Sequence, residues 1–298
     1  MIIALVIAFL TQTPAPPQRI VAASNVRLRS APQTSAEERA RLPLGTVVAQ
    51  LEVSSDGLWF RVEGADGRTG WISGSLSQSF SPGDAPAANR RVLQARLAMT
   101  HLSFADGKDL FEFVSRIEGD PAELALFRLL ALERSVAPIM EEEPRDPAER
   151  EWVKIHENEI AFSVPGGQWF VRADLYWALE EKHRGTAIAQ QMAWEGANAG
   201  LPGECEGYIP CTFEVLLMTD GRYLDLYPTG AHADQAMEVI ASPLLEIVKP
   251  NTPYTMDPRD AVQLRGAIAK LSAIVERAAG SRKAEILANL KRIDQMYR

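Results

Sequence analysis

Three glutamates and two cysteines are the residues of this 298-residue chain whose types and settings could do chemistry. Glu195 follows Trp194 in a helix-patterned stretch, and Glu204 and Glu206 flank Cys205 in the run Leu201-Pro-Gly-Glu-Cys-Glu-Gly-Tyr-Ile-Pro-Cys211. Glycosidases work with one or two carboxylates in a cleft, and a Glu buried beside a tryptophan would have its pKa raised toward that of a general acid. The competing reading is that Glu195 faces water on the polar side of an amphipathic helix. Cys205 and Cys211 are six positions apart, with Gly207 and Pro210 between them. Such positions lie on opposite sides of a regular helix, so a local disulfide between them implies a loop or a broken helix. A metal-binding or redox thiol would call for Cys-x-x-Cys spacing or a neighbouring His, and this stretch has neither.

The remaining chemistry is sparse. His101, His156, His183 and His232 are far apart and lack metal-ligand spacing. No His-Glu-x-x-His, Gly-x-Ser-x-Gly or Gly-rich phosphate loop occurs, and Glu141 to Glu143 reads as a solvated run before Pro144. No cofactor or metal is expected. With 31 Lys and Arg against 39 Asp and Glu the net charge is -8, which argues against nucleic acid or anionic lipid as a partner, since phosphate affinity comes from clustered cations. A content of 46% hydrophobic and 23% charged residues excludes disorder of the whole chain, and the length suits two domains.

The elements that must carry these residues change character along the chain. From 19 to 80 the pattern is β: Val47, Ala49, Leu51 and Val53 alternate with positions expected to face outward, as do Leu58, Phe60 and Val62. Asp56-Gly57 and Asp66-Gly67 mark tight turns. Short strands with Gly turns in about 60 residues predict a small barrel. Four segments, Asn25-Val-Arg-Leu-Arg-Ser-Ala-Pro32, Leu44-Gly-Thr-Val47, Gly57-Leu-Trp-Phe-Arg-Val62 and Asp66-Gly-Arg-Thr-Gly-Trp-Ile72, resemble the bacterial SH3 domain in order and interval. The resemblance covers about a fifth of the chain and implies core positions at Val47, Val62 and Trp71. It also implies an exported envelope protein, because similar modules are appended to cell-wall enzymes and envelope proteins, some binding peptidoglycan peptides and others positioning a neighbour. Within it Trp59, as a stacking platform, and Arg27 and Arg29, on one strand face, are the binding candidates.

Beyond a Pro, Gly and Ala-rich stretch at 81–90, read as a linker, the period becomes about 3.6 and a mainly helical domain is expected over 91–298. Asp120-Pro121, Asp146-Pro147 and Asp257-Pro258 predict helix starts, because Asp accepts a backbone N–H at the N-cap and Pro wastes none at the first helical position. Leu264, Ile268, Leu271, Val275 and Ala278, then Leu287, Leu290 and Ile293, predict a closing helical hairpin. Arg222 to Ala236 resembles the turn between paired helices of tetratricopeptide-like proteins, in a single copy that predicts a local helix-turn-helix. The aromatics from Trp169 to Trp177, with Trp194 and Tyr208, would line either a groove or a core.

Ile2 to Leu10 is too short to span a bilayer and fits the apolar part of a signal peptide, with a Pro-rich spacer to residue 18. The expectation is an exported, periplasmic or secreted protein without stable membrane insertion. Its SH3-like barrel would tether it to peptidoglycan or an envelope protein, and its disulfide-stapled helical domain would be a spacer or interaction surface. The alternative is a cell-wall hydrolase using Glu195, Glu204 or Glu206.

Overall fold

The computed structural model describes residues 16–297. The apolar run read as a signal segment lies outside them, while Gln18, the last residue of the expected spacer, already begins a strand. The described residues form two compact units: one runs to His101 and takes in Lys108–Glu118, and the other holds Leu102–Gly107 and the chain from Gly119 on.

Seven strands make the first unit: β1 (Gln18–Val21), β2 (Val26–Arg29), β3 (Glu38–Leu42), β4 (Val47–Val53), β5 (Trp59–Gly64), β6 (Thr69–Ser73) and β7 (Ser77–Phe80). They pair antiparallel in the order β3-β2-β6-β5-β4-β1-β7. The Asp-Gly turns form as their sequence demands: Gly57 and Gly67 take φ of 72° and 77°, and Asp56 and Asp66 accept the backbone N–H two residues on. Val21, Val26, Leu28, Leu42, Val48, Val62 and Ile72 are the core.

Two expected core positions are corrected. Val47, Leu51 and Val53 are exposed, and Val48 is buried in their place. Val47-Val48 offers an apolar residue in either phase, so period two cannot choose the face, and a register shift between Gln50 and Glu52 breaks the alternation further on. Trp71 is half-buried on the outer face, because Gly70 and Ile72 are the inward residues of β6. Gly70 is needed there: a Cβ would come within 2.6 Å of the Leu28 side chain. Leu58 is likewise exposed.

The interior also holds a charge. Arg19 is 7% exposed, with Nε donating to Ser77 Oγ at 2.9 Å, Nη1 to Gln50 Oε1 at 3.1 Å and Nη2 to Ser77 O at 3.2 Å. Its guanidinium lies 3.5 Å from the Phe60 ring centroid, and among the described residues it has no carboxylate partner. Burial lowers its pKa from the ordinary arginine value.

Residues 85–90 of the stretch read as a linker are the opening turns of α1 (Ala85–Leu97). In α2 (Phe104–Val114), the part from Lys108 belongs to the first unit. The Phe113 ring occupies the space beside Gly45, where an added Cβ would stand 2.2 Å from it; Gly45 has φ 79°, and Arg116 Nη2 donates to Leu44 O at 3.3 Å.

The first helices lying wholly in the second unit are α3 (Pro121–Val136) and α4 (Pro147–Ile155). Next come β8 (Ile160–Ser163) and β9 (Gln168–Val171), followed by α5 (Ala173–His183), α6 (Ala187–Asn198) and α7 (Ile209–Met218). The last four helices are α8 (Asp220–Leu226), α9 (Ala233–Ile247), α10 (Ala261–Arg277) and α11 (Lys283–Met296). Asp120 and Asp146 cap α3 and α4, each accepting two backbone N–H bonds, and Asp257 caps the 3-10 turn Pro258–Asp260 that leads into α10. The expected hairpin is α10 with α11, and its apolar stripe is buried with Phe213, Ile240 and Leu244 in one core, except that Ile286 is buried where Leu287 was expected and Leu287 is only partly covered. The single helix-turn-helix is α8 with α9. Gly230 lies in its turn because a Cβ would strike the Tyr223 hydroxyl, which Gln190 Nε2 reaches at 2.9 Å.

Candidate functional site

The outward side of β2, β6, β5 and β4 carries the binding candidates of the first unit. Directly opposed residues point to the same face of a sheet. Arg29 opposes Trp71, Trp71 opposes Arg61 and Arg61 opposes Glu52, making one row across four strands. Trp59 opposes Ser73 two residues along, and Arg27 opposes Arg41 on the far side of the row. Both indoles are half-buried, so each has a fixed orientation and some free surface.

The arginines are unequally committed. Arg27 pairs with Glu38 at 3.2 Å and Arg41 pairs with the same carboxylate at 2.8 Å, which holds Glu38 below the usual carboxylate range. Arg61 meets Glu52 at 3.6 Å, and Arg29 Nη1 donates to Ala36 O at 2.7 Å. Four guanidinium groups stand against three carboxylates, Glu38, Glu52 and the exposed Glu63 two residues along β5 from Arg61, which leaves the face with an excess of one positive charge. Flat indoles beside weakly hydrated guanidinium groups suit a ligand with planar or sugar-like faces and free carboxylates. Sequence reading proposed Trp59, Arg27 and Arg29 as candidates but left out Trp71 and Arg61, which share their face. The signal for both was the period of two through Arg61, Trp59 and Trp71, once Gly70 is recognised as the inward residue.

The three candidate acids do not converge. Glu204 and Glu206 are exposed in the loop before α7, where Cys205 and Cys211 are bonded with Cα atoms 5.5 Å apart and Glu206 has φ 46°. The disulfide therefore joins a loop to the first turn of α7, as the spacing required. Glu195 is half-buried on α6 and accepts from Gln191 Nε2 at 2.5 Å. Its neighbour Trp194 stacks on His232, centroids 4.4 Å apart and planes 8° from parallel.

An acid not singled out from the sequence accompanies Glu195. Glu133 on α3 accepts the Val171 N–H at 2.5 Å, holding α3 to the end of β9. Desolvation pushes its carboxyl up to about 7; the Val171 bond and Arg134 act the other way, and the Glu195 charge adds to the rise. Tyr176 is buried in the same surroundings, and its pKa is raised first by burial and then by both carboxylates. No local signal marks Glu133, whose setting comes from a β-hairpin distant in sequence. Two cavities lie elsewhere in this unit, one of about 700 Å³ beside Cys205 and one of about 440 Å³ beside Trp177. Neither is lined by Glu133, Glu195, Glu204 or Glu206. Among the described residues no group of three or more His, Cys, Asp or Glu side chains could hold a metal, and no helix is long and apolar enough to cross a membrane.

The fold and its outer face define a class. The family model of the bacterial SH3 domain matches residues 24–78, so this segment is a bacterial SH3 domain, which suggests a binding or cell-wall-associated module. No other family is assigned to the region that follows. No curated protein matches the chain.

Proposed function

We propose that the protein is an exported, non-enzymatic component of the cell envelope, whose SH3 domain tethers it through the outer face of β2, β6 and β5. The observation that carries this reading is the row Arg29, Trp71, Arg61 with Trp59 beside it, within a domain of a family whose members often bind peptidoglycan or other envelope components. Peptidoglycan offers both chemistries the face invites, sugar rings for the indoles and peptide carboxylates for the guanidinium groups. Charge distribution supports the same orientation: residues 1–80 hold seven Arg and six acids, net +1, leaving 24 bases and 33 acids, net -9, in the remainder. The helical unit then serves as spacer or protein-interaction domain.

The test is co-sedimentation of the purified chain with isolated sacculi. The wild type pellets, and Trp59→Ala with Trp71→Ala leaves it in the supernatant, each indole being worth about 1 kcal/mol, or roughly fivefold in affinity. A wild type that stays soluble, or a double variant that still pellets fully, removes the outer face as a tether.

A second reading, hydrolysis, has one observation in its favour: a carboxyl raised to about 7 at Glu133 with the Glu195 carboxylate near it, the pattern of an acid and its partner. It predicts soluble fragments released from sacculi, abolished by Glu195→Gln. Sedimentation without release counts against it.

A further inference from the structure

The cavity of about 440 Å³ between α5, α6 and the α7 to α8 junction has the volume of a small-ligand pocket, and its walls carry two charged side chains that make no hydrogen bond or ion pair among the described residues. Its apolar surface comes chiefly from Met218, 57% exposed, and the half-buried Leu201, over the edge of Trp177, which is 5% exposed. Trp177 packs closely on α6: a Cβ at Gly196 would stand 3.0 Å from the indole and press the ring aside by a few tenths of an ångström. Over the ring, with Cζ 4.2 Å from the centroid, lies the guanidinium of Arg222. Among the described residues Arg222 makes no ion pair or hydrogen bond. A guanidinium stacked on an indole is fixed in plane while its N–H fork stays available, the arrangement that receives a carboxylate in bidentate fashion.

The opposite charge is Glu181, which lines the same cavity and makes no hydrogen bond or ion pair among the described residues, although its charge acts on the nearby Arg184. Had it lain within 4 Å of Arg222 the two would pair, so they stand apart on the cavity wall. The other acids nearby are committed. Asp174 takes two bonds from Arg172 at 3.1 and 3.0 Å, and Glu180 takes two from Arg184 at 2.9 and 2.8 Å and one from the Tyr227 hydroxyl at 2.9 Å, so the Arg222 charge reaches Glu180 only through space, without a bond to it.

We propose that this cavity binds a zwitterionic amino acid or short peptide with apolar side chains, its carboxylate on Arg222, its ammonium on Glu181 and its apolar body against Trp177 and Met218. Neither the SH3 domain nor the Glu133 and Glu195 pair takes part, so the site stands whether or not the chain binds sacculi.

The experiment titrates the full-length chain with the dipeptide Leu-Leu, with N-acetyl-Leu-Leu and with Leu-Leu amide, following heat and Trp fluorescence. Free Leu-Leu binds, and blocking either end weakens binding about tenfold, the loss of one charge-assisted contact. In Arg222→Gln the acid and the amide bind alike while the acetyl group still costs affinity; in Glu181→Gln the pattern reverses. Both side chains sit at the surface, and unchanged far-ultraviolet circular dichroism shows that the variants fold. Absence of a signal with Leu-Leu at millimolar concentration, equal binding of the three compounds, or variants that keep the wild-type discrimination each overturn the proposal.

Discussion

Individual side chains set the limits on stability here, and Glu133 is the sharpest case. Its folded carboxyl titrates at about 7 against an ordinary 4.5, so between those values the folded unit keeps a proton that the unfolded chain releases. Folding is therefore unpenalised below pH 4.5, loses stability as the pH rises through 7, and above that carries a cost of about 3 kcal/mol. Asp220, 4% exposed and raised by burial to about 6, acts in the same direction. Glu159 and Glu180, lowered chiefly by Arg128 and Arg184, oppose it only as the pH falls below the carboxylate range. The helical unit should melt higher at pH 5.5 than at pH 8, and Glu133→Gln should flatten that slope; a wild-type melting temperature constant across the interval would refute the assignment. At the same scale, Gly45→Ala must place a Cβ against Phe113 at a φ that disfavours alanine, and should cost about 1 to 3 kcal/mol in urea unfolding. These residues were the least legible in the sequence. Nothing within a few positions of Glu133 or Gly45 announces Val171 or Phe113, and Val47-Val48 shows how a period of two can be right while its phase is wrong.

Secondary-structure elements were far more legible, because their signals are local. Asp before Pro predicted three helical starts, and all three aspartates accept the backbone N–H bonds that their position supplies. Asp120→Ala should cost about 1 kcal/mol, read as a drop in the urea midpoint with unchanged slope. The Asp-Gly turns and the α10 to α11 stripe follow from equally short-range rules. The hairpin β8 to β9 escaped: each strand has four residues, too few for a period to emerge, and the aromatics Trp169 and Phe170 read equally well as core or groove. Its signal was the connection Val164-Pro-Gly-Gly167, where Gly167 takes φ 61°. The outer face of the SH3 domain was half legible for a related reason. The strands followed from alternation and turn signals, but that Trp71 faces out depended on Gly70 lying beneath Leu28, a contact between strands.

At the scale of the whole molecule, the boundaries of the first unit do not coincide with those of the SH3 match. The family model ends at residue 78, while α1 and Lys108–Glu118 group with the sheet. A fragment ending at residue 118 should therefore unfold at higher urea concentration than one ending at residue 80, which lacks Phe113 and Arg116 at the Leu44-Gly45 turn; equal midpoints would show that those residues contribute nothing. The Cys205 to Cys211 bond closes a short loop and should add about 2 kcal/mol to the helical unit. Reductant should lower that unit's melting transition while leaving the fragment ending at residue 118 unaffected.

The arginine inside the sheet bears on where such a protein can work. An interior cation held by a carboxylate loses its partner when acid protonates that group. Arg19 leans only on a hydroxyl, two carbonyl oxygens and a phenyl ring, none of which titrates in mild acid. The strands it ties together thus have no acid-labile latch at their centre, and closure there should persist in surroundings acidic enough to alter the helical unit. Local acidification would then be read by one half of the chain while the half that carries Trp59 and Trp71 keeps its shape.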